Sequence, residues 1–267
     1  MKTQEDRIDR TVKRIKNTGE VFTPKWLIDE MIDTLEIDWS NPPQDKTFLD
    51  PTCGNGNFLV ALAERNIPLK NIYGVDLMED NVKLTKERLQ GGFEGNILCR
   101  DAVTYDYSFG DVNILDVGDV GVGKKFDYVL TNPPYQMPIG EGSKTKSIWA
   151  GLISKFHGLV KDKGIMSSIH PGGWRFVLPR SKKDIKAVRE IYCSNRILYM
   201  ELNSYKKGKA TFGAGTDYDV ITLIKEASNG DCFVKMELDG IQPMNIKEMG
   251  MIPTDMLSLF EKLKWIK

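Results

Sequence analysis

The run Phe126-Asp-Tyr-Val-Leu-Thr131 stops at Asn132-Pro133-Pro134-Tyr135. Tyr128 to Thr131 is apolar and rich in β-formers, and a strand cannot pass through two prolines. Proline donates no ladder hydrogen bond and fixes φ. It also drives the residue before it out of the α region. Asn132 is therefore expected at the exit of a buried strand, its amide aimed beyond the sheet and Tyr135 held nearby on stiff backbone. An amide oxygen and the carbonyls of a proline turn accept hydrogen bonds without carrying negative charge. They suit a planar amino group, and Tyr135 offers a flat face for a ring to stack on. Taken alone, the same residues also fit an Asn-Pro turn with a surface tyrosine.

Upstream, the pattern of strand, polar residue and helix repeats. Thr47-Phe-Leu-Asp50-Pro-Thr-Cys-Gly54-Asn-Gly56-Asn-Phe-Leu-Val-Ala-Leu-Ala63 reads as strand, glycine-rich turn and helix. That is the first βα unit of a nucleotide-binding sheet, although a bare G-x-G also marks any tight βα turn. Asn71-Ile-Tyr-Gly-Val-Asp76 ends a second strand, where a carboxylate can accept from both hydroxyls of a ribose. A helix over 80–89 leads to Asn96-Ile-Leu-Cys-Arg-Asp101-Ala102. Asp101 can accept from an adenine amino group, with Leu77 and Ala102 placed to pack on the ring faces. Singly, Asp76 and Asp101 fit helix N-caps equally well. Together, Asp50, Asp76, Asp101 and Asn132 fall at successive strand ends, on the carboxyl edge of one parallel sheet, where open α/β sheets bind ligands.

Residues 1–17 are charged, with Ile8, Val12 and Ile15 at the spacing of an amphipathic helix. Gly19 to Pro24 reads as a loop, with Thr23 as N-cap and Pro24 opening a helix over 25–35. Lys+Arg and Asp+Glu each total 37, so nucleic-acid contact must come from local segregation of charge. Cys53, Cys99, Cys193 and Cys232 form no C-x-x-C, and with His157 and His170 they point to no metal site or disulfide framework. With no signal peptide and no apolar run near about 18 residues, a cytoplasmic place without membrane contact is expected.

Downstream, 105–125 reads as a surface connection and 136–147 as a loop over the mouth of the site. A helix over 148–159 and a strand over 164–169 follow, and His170 reads as an ordinary turn histidine. Arg180, Lys182, Lys183, Lys186 and Arg189 form one basic cluster, and Lys206, Lys207 and Lys209 another. Either is a solvated face or a phosphate-contacting one. Strands are expected over 196–202, 218–225 and 232–238, with a basic loop between 204 and 217 and a terminal helix over 255–265.

Over residues 18 to about 226 the chain resembles the gamma group of adenine-N6 DNA methyltransferases of restriction–modification type. Asn132-Pro-Pro-Tyr135 is similar to that family's motif IV, the Asp50–Phe58 string to its motif I, and Phe22-Thr23-Pro24 to its motif X. The resemblance implies a seven-stranded, mostly parallel Rossmann-like α/β sheet with helices on both faces. It implies S-adenosyl-L-methionine as cofactor, bordered by Phe22, Thr23, Pro24, Asp50, Pro51, Cys53, Gly54, Asn57, Phe58, Asp76, Leu77, Asp101, Ala102 and Asn132. It makes Asn132, Pro133, Pro134 and Tyr135 catalytic. A flipped adenine would stack on Tyr135 with Phe212 opposite, while Lys182, Lys183 and Lys186 hold DNA. Two alternatives share parts of the pattern: a release-factor glutamine N5-methyltransferase, and a non-catalytic nucleic-acid-binding module.

These readings divide the chain into an N-terminal helix (1–17), a catalytic domain (18–226) and an extension (227–267). The extension is shorter than the roughly 50 residues of a small domain, too short for a full target-recognition domain. The expected partners are accordingly DNA together with a specificity subunit, a C-terminal continuation or a restriction subunit.

Overall fold

The computed structural model describes residues 22–90, 96–110, 123–139, 144–213 and 215–254. The helices expected over 1–17 and 255–265 lie outside the described residues.

The chain enters through α1 (Lys25–Asp33), which buries Leu27, Ile28, Met31 and Ile32. Pro24, in extended backbone, is its N-cap, and no side chain caps the helix. Thr23 is therefore not the cap, because its hydroxyl is engaged elsewhere. Next come β1 (Phe48–Asp50), α2 (Asn57–Glu64), β2 (Ile72–Asp76), α3 (Glu79–Arg88), β3 (Ile97–Cys99) and β4 (Phe126–Thr131). β1 pairs in parallel with β2 and β4, and β2 with β3. Residues 50, 76, 101 and 132 thus share one carboxyl edge, as the spacing predicts.

Beyond Tyr135 the expected loop is in part a ribbon, β5 (Gln136–Pro138) paired antiparallel with β6 (Thr145–Ser147). α4 (Trp149–Gly158), β7 (Val160–His170), α5 (Lys183–Ser194) and β8 (Asn195–Asn203) follow. The segment expected as a basic loop holds a helix, α6 (Tyr205–Phe212). Ser204 caps it by accepting from the Lys207 N–H. Gly208 is needed for closeness, since a Cβ there would lie 1.7 Å from the Thr216 carbonyl oxygen.

β9 (Tyr218–Ala227) runs antiparallel between β7 and β8. β10 (Asp231–Met236) then joins β8 in parallel, and β11 (Gly240–Asn245) closes the edge. The sheet order is β11-β10-β8-β9-β7-β4-β1-β2-β3. It is the expected seven-stranded sheet, extended by two strands from residues 227–254. One face packs on α4 and α5 around Trp149, Phe156 and Tyr192, the other on α1 and α2 around Ile28, Phe58 and Leu62.

The connection after β3 is not wholly superficial. Tyr107 is fully buried and Phe109 packs against the same core. Both adopt positive φ, 60° and 49°. Left-handed backbone costs a residue about 1–2 kcal/mol, which burial of a large apolar side chain, about 1.5–3 kcal/mol, offsets.

His170 also differs from its reading as a turn residue. It ends β7 with no exposed surface, its ring stacked between Trp149 at 4.9 Å and Tyr192 at 5.5 Å. Burial lowers its basicity, so it is a neutral core group. Beside it, Asp219 accepts from Trp174 Nε1 at 2.8 Å and from Arg175 Nε at 2.9 Å, and Arg175 Nη2 makes a second bond to the same carboxylate. Arg175 reaches on to Thr254 Oγ1, and Arg189 donates to the carbonyls of Arg175, Ile246 and Met249. Two arginines thus fasten the last described residues to the sheet. Arg189 is not free for phosphate. Removing one partner of a buried pair strands the other charge, at a cost of about 3–5 kcal/mol. Arg175→Met should lower unfolding free energy in urea by that amount; a loss below about 1 kcal/mol would mean the pair is solvated.

Candidate active site

A cleft of about 250 Å³ opens at the carboxyl edge where β1, β2, β3 and β4 end. Its floor is the loop after β1, in which Gly54 and Gly56 take left-handed backbone with φ of 53° and 80°. A Cβ on Gly56 would lie 2.6 Å from Thr85 of α3. The loop is tied down by Asp76, whose carboxylate accepts from the N–H of Gly54 and of Met78, each at 2.9 Å, and from Asn81 Nδ2 at 3.0 Å. Asp76 thus both borders the cleft and holds its floor.

Asp50 is almost wholly buried and accepts from the Thr52 N–H at 3.0 Å. Burial, reinforced by the charge of Asp76, holds its carboxyl well above the ordinary carboxylate range. Asp101 sits across the cleft and accepts from the Val103 N–H at 2.8 Å. Ala102 lies beside it, and Leu77 and Val103 stand 61% and 48% exposed on the rim, apolar surfaces without protein cover.

The segment before α1 closes one side. Phe22 lies over Gly54, 3.5 Å from where a Cβ would stand. The Thr23 carbonyl accepts from Asn57 Nδ2 at 3.3 Å, and Asn57 Oδ1 accepts from Arg88 Nη1 at 2.6 Å. The Thr23 hydroxyl accepts from Asn132 Nδ2 at 3.1 Å. With its amino side so occupied, the Asn132 amide presents its oxygen. Thr131 and Thr52 join hydroxyls at 3.1 Å and brace the β4 exit against the β1 loop. Tyr135 is half-buried, and burial with the nearby negative charges of Asp219 and Asp217 raises its phenol above the ordinary value. It stays neutral and is no base.

Of the residues expected here, Phe22, Thr23, Asp50, Cys53, Gly54, Asn57, Phe58, Asp76, Leu77, Asp101, Ala102 and Asn132 to Tyr135 all line the cleft. Pro24 and Pro51 do not. Pro24 caps α1, and the Pro51 carbonyl accepts from the Tyr107 hydroxyl at 3.4 Å. Phe212 is also absent from the lining, its ring packing edge-on against Tyr218 at 5.0 Å. Lys182 precedes α5 and Lys183 opens it, both exposed, while Lys186 donates to the Pro179 carbonyl. Lys207 is paired with the buried Glu201.

Sequence reasoning missed four contributors. Asn81 anchors Asp76 from the first turn of α3, a polar position on a polar helix. Ile148, just before α4, and Leu152 within it supply apolar wall. Asn55, between the two glycines, is 1% exposed, and neither polar atom of its side chain finds a partner among the described residues. Its place inside a ligand loop was the available signal.

The fold and cleft are those of a Rossmann-like methyltransferase. The chain belongs to the N-6 DNA Methylase family, whose model matches residues 9–151. It is 33% identical over 120 residues to the Type II methyltransferase M.VspI of Vibrio sp. (strain 343), covering 44% of this chain and 25% of that protein. It is 29% identical over 125 residues to the modification methylase CviBIII of Paramecium bursaria Chlorella virus NC1A, covering 47% and 28%. The fold matches the type I restriction-modification system methyltransferase subunit from Streptococcus thermophilus with a TM-score of 0.58 at 19% identity, over 81% of this chain and 47% of that one. The chain thus spans about a quarter of the length of these curated relatives.

Gly56 offers a test of the loop geometry. Gly56→Ala combines left-handed strain with the contact to Thr85, and should cost about 2 kcal/mol in urea unfolding. An unchanged midpoint would show that the loop does not hold this conformation.

Proposed function

We propose that this protein transfers a methyl group from S-adenosyl-L-methionine to the N6 amino group of adenine in DNA, with the base turned out of the duplex. The observation that carries the reading is the Asn132 amide, fixed by Thr23 with its oxygen presented at a strand exit beside the Tyr135 ring.

The cleft suits the cofactor. Asp76 and Asp101 offer acceptors for ribose hydroxyls and an adenine amino group, Leu77, Ala102 and Val103 offer apolar faces, and the unpartnered Asn55 amide awaits a polar ligand. When bound, the sulfonium group supplies an electrophilic methyl. The chain's own task is to make the adenine amine a nucleophile. That nitrogen's lone pair is delocalised into the ring, so hydrogen bonds from its N–H groups to Asn132 Oδ1 and the Pro133 carbonyl favour a pyramidal nitrogen. Those bonds strengthen as the nitrogen gains positive character, which is the differential binding catalysis requires. Tyr135 fixes the ring plane by stacking, and positioning rather than acid–base work does the rest. An N6 amine is paired inside a duplex, so the base must be extruded. The motif order, with the Phe-Thr-Pro element ahead of the glycine loop and Asn-Pro-Pro-Tyr after it, supports the gamma arrangement.

Labelled S-adenosylmethionine incubated with DNA or with a release factor tests the reading: label should enter DNA as N6-methyladenine, and label in the protein acceptor would overturn it. Asn132→Ala should abolish transfer with cofactor affinity within about threefold. Asp76→Ala should weaken cofactor binding by about 1–3 kcal/mol, the cost of unpaired buried donors. Equal loss of binding in both would show the two halves of the site to be misassigned.

Lys182, Lys183 and Lys186 stand at the start of α5, which opens beside the first turn of α4 near the cleft wall. We assign them to phosphate contact, which positions DNA without reading it. Their triple alanine variant should weaken binding to all duplexes alike and flatten the salt dependence. Base sequence would then be read by a specificity partner or by a further segment of a longer protein, as the type I methyltransferase-subunit neighbour suggests.

A further inference from the structure

The β5–β6 ribbon begins one residue after Tyr135, and its foot is tied there, the Ile148 N–H donating to the Tyr135 carbonyl at 3.1 Å. Its register sets Met137 opposite Lys146. Two residues along, the Ile139 N–H donates to the Lys144 carbonyl at 3.0 Å. Directly opposed residues of an antiparallel pair lie on one face, as do residues two apart. Met137, Ile139, Lys144 and Lys146 therefore share a face. Met137 also reaches the cleft lining.

That face sets exposed apolar and cationic side chains together at the mouth of the cleft. Met137 is 41% and Ile139 53% exposed, and both lysines are exposed. Two neighbouring uncovered apolar side chains give that face a small apolar surface for a partner to cover. Two cations beside them select an occupant that is anionic at its rim and apolar within, which is the cross-section of duplex DNA. A two-stranded ribbon also fits a major groove. Met and Ile belong to the side chains that wedge between base steps.

We infer that the β5–β6 ribbon is the element that enters duplex DNA at the target base. Met137 and Ile139 fill the stack that the extruded base vacates, and Lys144 and Lys146 lie against the flanking phosphates. The inference rests on the adenine reading above and adds where the duplex is opened and by which side chains.

Two variants separate the two chemistries. Lys144→Ala/Lys146→Ala should weaken binding to a random 30-base-pair duplex about tenfold at ~0.1 M salt, and should reduce the salt slope by about 2, near 0.9 per phosphate contact. Ile139→Ala, which changes a side chain outside the cleft lining, should leave that slope unchanged. On adenine-unmethylated genomic DNA its methylation rate should fall at least tenfold, yet change less than about threefold on the same DNA heat-denatured to single strands, where no stack need be opened. Affinity for S-adenosylhomocysteine should hold in both variants and reports an intact fold. Equal loss on duplex and single strands would overturn the wedge, because the ribbon would then only support the cleft. A wild-type salt slope in the lysine variant would overturn the DNA contact and favour a protein partner for this face. Absence of transfer to either DNA by the unmutated chain would count against the adenine reading itself, and the salt slope would still test the ribbon.

Discussion

The hydrogen bond from Asn132 Nδ2 to the Thr23 hydroxyl joins residues 109 apart in sequence. It ties the segment before α1 to the exit of β4. An Asn side chain at a strand exit can turn its amide either way, and the two ends are chemically opposite, one donating and one accepting. Here the Thr23 hydroxyl takes the donating end, which leaves the oxygen for another partner. The same residue ties the entry segment to the loop after β1 through its carbonyl and Asn57, so one residue braces both sides of the cleft.

That brace explains the otherwise redundant fastenings around it. Asp76 anchors three donors of the loop and α3, Thr52 and Thr131 hold the β1 and β4 exits together, and Arg88 bonds both Asn55 and Asn57. Catalysis by positioning tolerates errors of about an ångström poorly. A cleft made of loops from five segments reaches that precision only if the loops are bonded to one another. α1 is held as firmly at its far side, where Glu30 bonds Tyr199 of β8 and Lys235 of β10. β10 therefore supports the entry helix as well as lengthening the sheet.

Much of this is written locally in the chain. The strand ends at Asp50, Asp76, Asp101 and Asn132 are legible because each apolar run stops at a polar residue and a turn former, and parallel order follows from the intervening helices. What sequence could not give are contacts made by residues distant in the chain. Thr23 looks like an N-cap because Thr before Pro usually is one, yet Asn132 claims its hydroxyl. The stretch 204–217 reads as loop because Gly208 lowers helix propensity, but that glycine admits the Thr216 carbonyl and the helix forms around it. Tyr107 and Phe109 carry no periodic signal, and they enter the core through left-handed backbone that local preference disfavours. The ribbon escaped notice because its strands are exposed, polar or proline-containing, without the apolar run that marks β1 and β3.

The central claim is that Thr23 serves Asn132 as a positioning residue, and serves catalysis through it. Thr23→Val removes the hydroxyl with little change in shape, and Thr23→Ser keeps it. If the claim holds, the valine variant loses about 10–100-fold in kcat, the equivalent of one misdirected hydrogen bond of about 1–3 kcal/mol. Its S-adenosylhomocysteine affinity stays within about threefold of the parent, and serine restores kcat. An unchanged kcat with weakened cofactor binding would contradict it, and would make Thr23 a cofactor contact only.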